Sequence, residues 1–146
     1  MPRYILLILT VMMAVTMQAV SPPASLKYLD GYFNKDPDAA VTVVTGKPLK
    51  SYSLDEYRGL TLTYSPEKAA IIEEAVKHDM KAAQDKEVAY RKGQLYYAFL
   101  TLPAPGGDKR RYIFYLNQTL AKGNKIILIY MSGKASADQI KKMIKK

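Results

Sequence analysis

The chain has no cysteine, no tryptophan, a single histidine, and 13 acids against 22 lysines and arginines. Without cysteine there is no disulfide framework, so packing alone must hold the fold. The same lack excludes acylation at a lipoprotein cleavage site, which needs a thiol. One histidine, His78, and no thiol exclude a thiolate or imidazole metal site, and nothing implies a cofactor. A glycine-rich phosphate loop is missing too, because Gly106-Gly107 is not followed by a capped helix. There is no G-x-S-x-G elbow. The apolar run from Ile5 to Val15 falls short of the ~20 residues that cross a bilayer.

That run is instead the size of a signal-peptide core. Arg3 precedes it, and Thr16, Gln18 and Ala19 lead out of it to Ser21, Pro22 and Pro23. The pattern predicts a secretory leader over residues 1–19, cut after Ala19, with an uncleaved anchor as the alternative. Met17 is a poorer −3 residue than alanine. Removing residues 1–19 from 146 leaves a single domain over 20–146 and lowers the formal net charge from +9 to +8. The expected location is exported, periplasmic or extracellular, by a Gram-negative type of pathway.

Along that domain, Leu26, Leu29, Tyr32 and Phe33 recur at helical spacing. Val41 to Val44 is a β-branched strand closed by Gly46 and Pro48. Leu49 to Arg58 admits either an extended segment or a helical turn, and Leu60 to Tyr64 alternates as a strand. Ser65-Pro66-Glu67 caps and opens a helix whose stripe is Ala69, Ile72, Val76, Met80 and Ala83. Glu73–Lys77 and Glu74–His78 form i,i+4 pairs on its polar face. Strands follow at Glu87 to Arg91 and Gln94 to Leu102, joined through Lys92-Gly93, then at Arg111 to Gln118 and Lys125 to Met131. The last strand is the most apolar and is expected to be central. Ser136 to Gln139 matches a capping box and opens a final helix with Ile140, Met143 and Ile144 inward. The expected class is α+β, an antiparallel sheet of about five to six strands with helices on one face. Its order is α-β-β-α-β-β-β-β-α.

Chemistry-bearing patterns are sparse. Asp36-Pro37-Asp38 lacks the ligand spacing of a calcium loop and reads as a turn. Glu73 and Glu74 splay apart on a helix, and Asn117-Gln118-Thr119 matches a glycosylation sequon only formally. The basic surplus is the strongest lead, with Lys109, Arg110 and Arg111 opening a strand and Lys141, Lys142, Lys145 and Lys146 crowding the last helix. The candidate ligand-binding residues are Lys109, Arg110, Arg111 and Tyr96, the last from a tyrosine-rich strand that suits carbohydrate. For an exported chain the expected partners are an envelope protein, an acidic polysaccharide or an anionic membrane surface, not nucleic acid. The expected role is a non-catalytic interaction or ligand-binding module. The alternative is a small hydrolase-type enzyme using carboxylate or tyrosine side chains.

The stretches Val41–Leu49, Asp85–Val88, Gly93–Phe99, Arg111–Tyr115 and Ile129–Gly133 before a short helix resemble a domain-of-unknown-function family. Its members are small secreted proteins of gut-type Gram-negative bacteria. The matching residues are packing and turn residues, so the resemblance implies a small α+β fold in the periplasm or at the surface. It implies no catalytic residues.

Overall fold

The computed structural model describes residues 21–144, so the expected leader, Lys145 and Lys146 lie outside the described residues. Six strands form one antiparallel sheet: β1 (Ala40–Thr45), β2 (Leu54–Thr63), β3 (Asp85–Arg91), β4 (Gln94–Pro103), β5 (Arg110–Asn117) and β6 (Lys125–Gly133). Their order is β1-β2-β6-β5-β4-β3. The apolar β6 is therefore interior, flanked by β2 and β5, as its composition leads one to expect.

Helix α1 (Pro66–Met80) links β2 to the far edge. Ser65 accepts a hydrogen bond from the Lys68 amide at 3.2 Å, and Pro66 occupies the first turn. Ala69, Ile72 and Val76 are buried, while Ala83 falls beyond the helix end. On the same sheet face lies a 3-10 helix, Ala24–Leu29. Six residues behind two prolines are too few to repay α-helix nucleation, which explains the tighter form. Together these two cover Leu60, Leu62, Leu100, Ile113 and Leu128. The expected α+β class, a six-stranded antiparallel sheet with α1 and the first 3-10 helix on one face, is what the chain adopts.

The open segment at 49–58 divides in two. Lys47–Tyr52 is a 3-10 helix, Ser53 turns left-handed, and β2 begins at Leu54. Gly133, at φ 152°, sits where an added Cβ would lie 2.6 Å from the Ser53 oxygen. That oxygen accepts the amides of Lys134 and Ala135 at 3.0 and 2.9 Å, directing the chain into α2 (Ala137–Ile144). The capping box forms reciprocally: Ser136 N–H donates to Gln139 Oε1 at 2.8 Å, and Gln139 N–H to Ser136 Oγ at 3.2 Å. Helix α2 and the Lys47–Tyr52 helix pack at one end of the second sheet face, over Phe99, Tyr112, Phe114 and Met131. At the β3–β4 hairpin, Lys92 and Gly93 both have positive φ, the geometry of a two-residue turn.

Candidate functional site

The basic run that opens β5 is dispersed by the fold. Lys109 Nζ lies 2.9 Å from Asp55, and that hydrogen bond holds its ammonium above the usual lysine range. Arg110 lies near Tyr112, whose hydroxyl donates to the Ala135 oxygen at 2.5 Å. Arg111 points to the opposite face and is only 9% exposed. Its Nε donates to the Pro103 oxygen at 2.7 Å and its Nη2 to the Ser21 oxygen at 2.9 Å. Lys134 pairs with Asp108, and Lys141 with Glu87.

Tyr96 lies elsewhere. Pro103 pairs with Arg110 while the neighbouring Tyr97 pairs with Leu116, so Tyr96 and the basic run occupy opposite ends of the sheet. Seven residues of strand separate the two ends, about 23 Å. The Arg91 guanidinium stacks 4.0 Å from the Tyr96 ring centre. The four residues singled out from the sequence therefore do not form one site, and Arg111 is an interior residue, not part of an open basic surface. Asn117 is likewise buried, and its Oδ1 accepts from both the amide and the hydroxyl of Thr119. Asp36 closes its own turn by accepting the Asp38 amide, and it pairs with Lys68. Hydrogen bonding to Lys68 holds its carboxyl below the usual aspartate range.

What the fold does bring together is the last turn of α1, the end of β4, the start of β5 and the strap Ser21–Pro23. They wall a hollow of about 300 Å³ whose lining includes His78, Asp79, Lys81, Leu102, Pro103 and Arg111. A hollow of about 500 Å³ runs among Glu73, Glu74, Lys77, His78 and Lys81, but these are successive side chains of one helix surface. It is a gap between solvated side chains, and the smaller hollow has walls from four segments of the chain. His78 borders both, exposed, and closes no ion pair with Glu74, whereas Lys77 pairs with Glu73 at 3.1 Å.

Asp79 is the residue that sequence reasoning passed over. It is 4% exposed, and its carboxylate accepts the Ala24 amide at 2.6 Å, the Ser25 amide at 2.9 Å and the Ser25 hydroxyl at 2.6 Å. These bonds satisfy the free amides that open the first 3-10 helix. A signal was present in the sequence: an acid in the last turn of a helix opposes the helix dipole, which favours a base there. Such a residue needs a partner of its own.

Chemically, Asp79 is a structural acceptor: three donors of the strap engage its two oxygens, which ties its carboxylate to the first 3-10 helix. Glu73 is committed too, accepting the Leu95 amide at 3.0 Å. Arg111, by contrast, is held by two neutral carbonyls and keeps its full positive charge in a sheltered position. With Lys81 and His78 on the rim, the hollow presents donors and positive charge. Among the described residues no three of His, Asp and Glu gather as metal ligands would.

Neither a curated protein nor a solved structure matches the chain. A family model described as a family of unknown function (DUF6108) matches residues 12–144, which takes in every strand and both helices. This chain belongs to the family of unknown function DUF6108.

Proposed function

We propose that this protein is an exported, non-catalytic binding module of the periplasm or cell surface in gut-type Gram-negative bacteria. Its hollow beside Arg111 takes an acidic group of an envelope polymer, such as a uronate carboxylate. The observation that carries this reading is the charge of the lining: the one acid there accepts three bonds from the strap, whereas Arg111 meets only carbonyl oxygens and Lys81 and His78 enter none of the ion pairs among the described residues. A guanidinium matches a carboxylate in shape and charge. A hydrolase would need a second, uncommitted carboxylate converging on the same space.

Export is supported by the leader pattern, and a cut after Ala19 is compatible with the bonds of the described residues that follow it. Ser21, two residues past Ala19, is bonded by Arg111, and Ala24 and Ser25 by Asp79. A chain cut after Ala19 keeps all of these bonds. N-terminal sequencing of protein exported by a Gram-negative host is expected to read from Val20, and intact Met1 in the membrane fraction would contradict it.

Binding is tested by titrating the protein with polygalacturonate at low and high ionic strength. Affinity is expected to fall steeply with salt, as it does for interactions between exposed charges. Lys81→Ala is expected to weaken it by roughly threefold to tenfold, and Lys142→Ala to leave it unchanged. No binding at low salt, or equal affinity for Lys81→Ala and the parent, would remove the hollow as the site.

A further inference from the structure

The two edges of the sheet are built differently. The β3 edge carries Asp85, Lys86, Glu87 and Arg91, and its register is broken by a bulge between Ala89 and Tyr90. Charges and bulges are the usual means of keeping an edge from pairing with another chain. The β1 edge, Ala40–Thr45, has the sequence AVTVVT, with no charge, no proline and no glycine. It pairs with β2 in unbroken register from Ala40↔Thr61 to Thr45↔Glu56. Among the described residues its outer edge pairs with no strand, and five of its six residues are β-branched.

Of the exposed large apolar side chains, Val41 and Val43 lie on β1, Tyr32 and Tyr52 lie in the segments that lead into and out of it along the chain, and Tyr90 lies on the other edge. Five of six positions in β1 are exposed, so neither α1 nor α2 shields the strand. We infer that β1 is an interaction edge, and that its occupant is β1 of a second copy of this chain, joining two six-stranded sheets into one across a two-fold axis.

Self-pairing follows from symmetry and charge. A two-fold axis normal to the sheet pairs an edge with itself in the antiparallel sense. It keeps Val41 and Val43 of both copies on one face. The start of each strand then meets the end of the other. The charge nearest the start is Asp38, since Asp36 is engaged by Lys68 and Lys35 lies further off. Past the end come the exposed Lys47 and Lys50. Opposite charges thus meet across the axis, and the uncharged strand adds no repulsion.

A single short strand with its flanking tyrosines buries less than the ~800 Å² per partner of a standard complex, so association is sought by sedimentation equilibrium from ~10 µM to ~1 mM. The protein is used as its producing cell leaves it. The average mass is expected to climb from one copy toward two across that range. Val43→Lys, a change at an exposed edge position, is expected to weaken association at least ~10-fold while its urea midpoint stays at the parent value. Tyr90→Lys on the β3 edge is expected to associate as the parent does. Asp38→Lys is expected to weaken association, and Asp38→Lys combined with Lys47→Asp to restore it. A parent of single-copy mass throughout would overturn the inference and leave the edge to an extended segment of another protein. Undiminished association of Val43→Lys, or equal loss in Tyr90→Lys, would overturn it as well.

Discussion

The two faces of the sheet are covered by helices of different length, and the side chains beneath them record it. Helix α1 has 15 residues and α2 has 8, about 22 Å and 12 Å of helix at 1.5 Å per residue. Strands of nine or ten residues run ~30 Å. Under α1 and the first 3-10 helix, Leu62, Leu100, Ile113 and Leu128 are fully buried. On the other face α2 reaches Phe99, Tyr112 and Phe114, while Ile127, Ile129, Leu116 and Tyr97 stay half-buried toward the uncovered end. Cover length, more than side-chain chemistry, decides which aliphatic residues are core, for Ile126 and Ile127 are adjacent in one strand.

Removing the short cover entirely is the harshest test of this contrast. Truncation after Lys134 deletes Ala135, Ile140, Met143 and Ile144 and strips the second face of its only helix longer than six residues among the described residues. Large aliphatic side chains contribute roughly 1.5–3 kcal/mol each on burial, against a total stability of ~5–15 kcal/mol. The truncated chain is expected to lose several kcal/mol in urea unfolding. A truncation as stable as the parent would show that the second face needs no cover.

Single substitutions sharpen the same comparison. Ile140 is fully buried, so Ile140→Ala is expected to cost about 2–5 kcal/mol. Ile127→Ala, under the open end, is expected to cost about 1–2 kcal/mol, because part of its side chain already meets water. Lys142→Ala, exposed on the same helix as Ile140, is expected to change stability by less than ~0.5 kcal/mol. Equal costs at 140 and 127 would break the link between cover and core.

Much of this fold was legible because its signals are local. Ser65-Pro66, the Lys92-Gly93 turn and the Ser136–Gln139 box each fix a boundary within four residues of chain, and each forms as expected. The 47–53 segment was not, because its course depends on Gly133 meeting Ser53 from the far end of the chain. The site was hidden for the same reason. Three consecutive bases read as one patch, but strand alternation turns Arg110 and Arg111 to opposite faces, and Asp55 arrives from β2 to claim Lys109. Nothing near Asp79 announced that its partners lie more than fifty residues upstream.

Those partners make Asp79 the next probe, since it fixes part of the cover on the better-packed face. In Asp79→Asn one carboxylate oxygen becomes an amide nitrogen and cannot accept, leaving a buried donor of Ser25 unmet. The expected cost is about 1–3 kcal/mol. Hydrogen exchange at the Ala24 and Ser25 amides is expected to quicken while Ile72 and Val76 keep their protection. Uniform acceleration across α1 would mean that Asp79 stabilises the helix itself and not the strap.

The smallest expected effect lies at a flaw in that well-covered face. Tyr115 is fully buried between β4 and β6, and its hydroxyl finds no hydrogen-bond partner among the described residues. Burial, with the Glu73 carboxylate adding to it, raises its pKa above the ordinary tyrosine value. Removing an unpartnered buried hydroxyl restores no lost bond and leaves only a small void, so Tyr115→Phe is expected to shift stability by less than ~1 kcal/mol at neutral pH. The difference emerges in alkali. Above about pH 10 the unfolded tyrosine releases its proton while the folded one keeps it, so the folded state binds more protons and stability falls as pH rises. Each such tyrosine contributes a slope of up to about 1.4 kcal/mol per pH unit until the folded group ionises in turn. Tyr57, Tyr97, Tyr112 and Tyr130 are also raised by burial, so the variant keeps an alkaline decline, but a shallower one. Urea midpoints of parent and Tyr115→Phe, compared at about pH 8 and about pH 11, read this directly. Parallel declines would mean that the Tyr115 hydroxyl meets solvent and ionises in the folded protein as it does in the unfolded one, and that the first face is less tightly closed than the burial of Tyr115 implies.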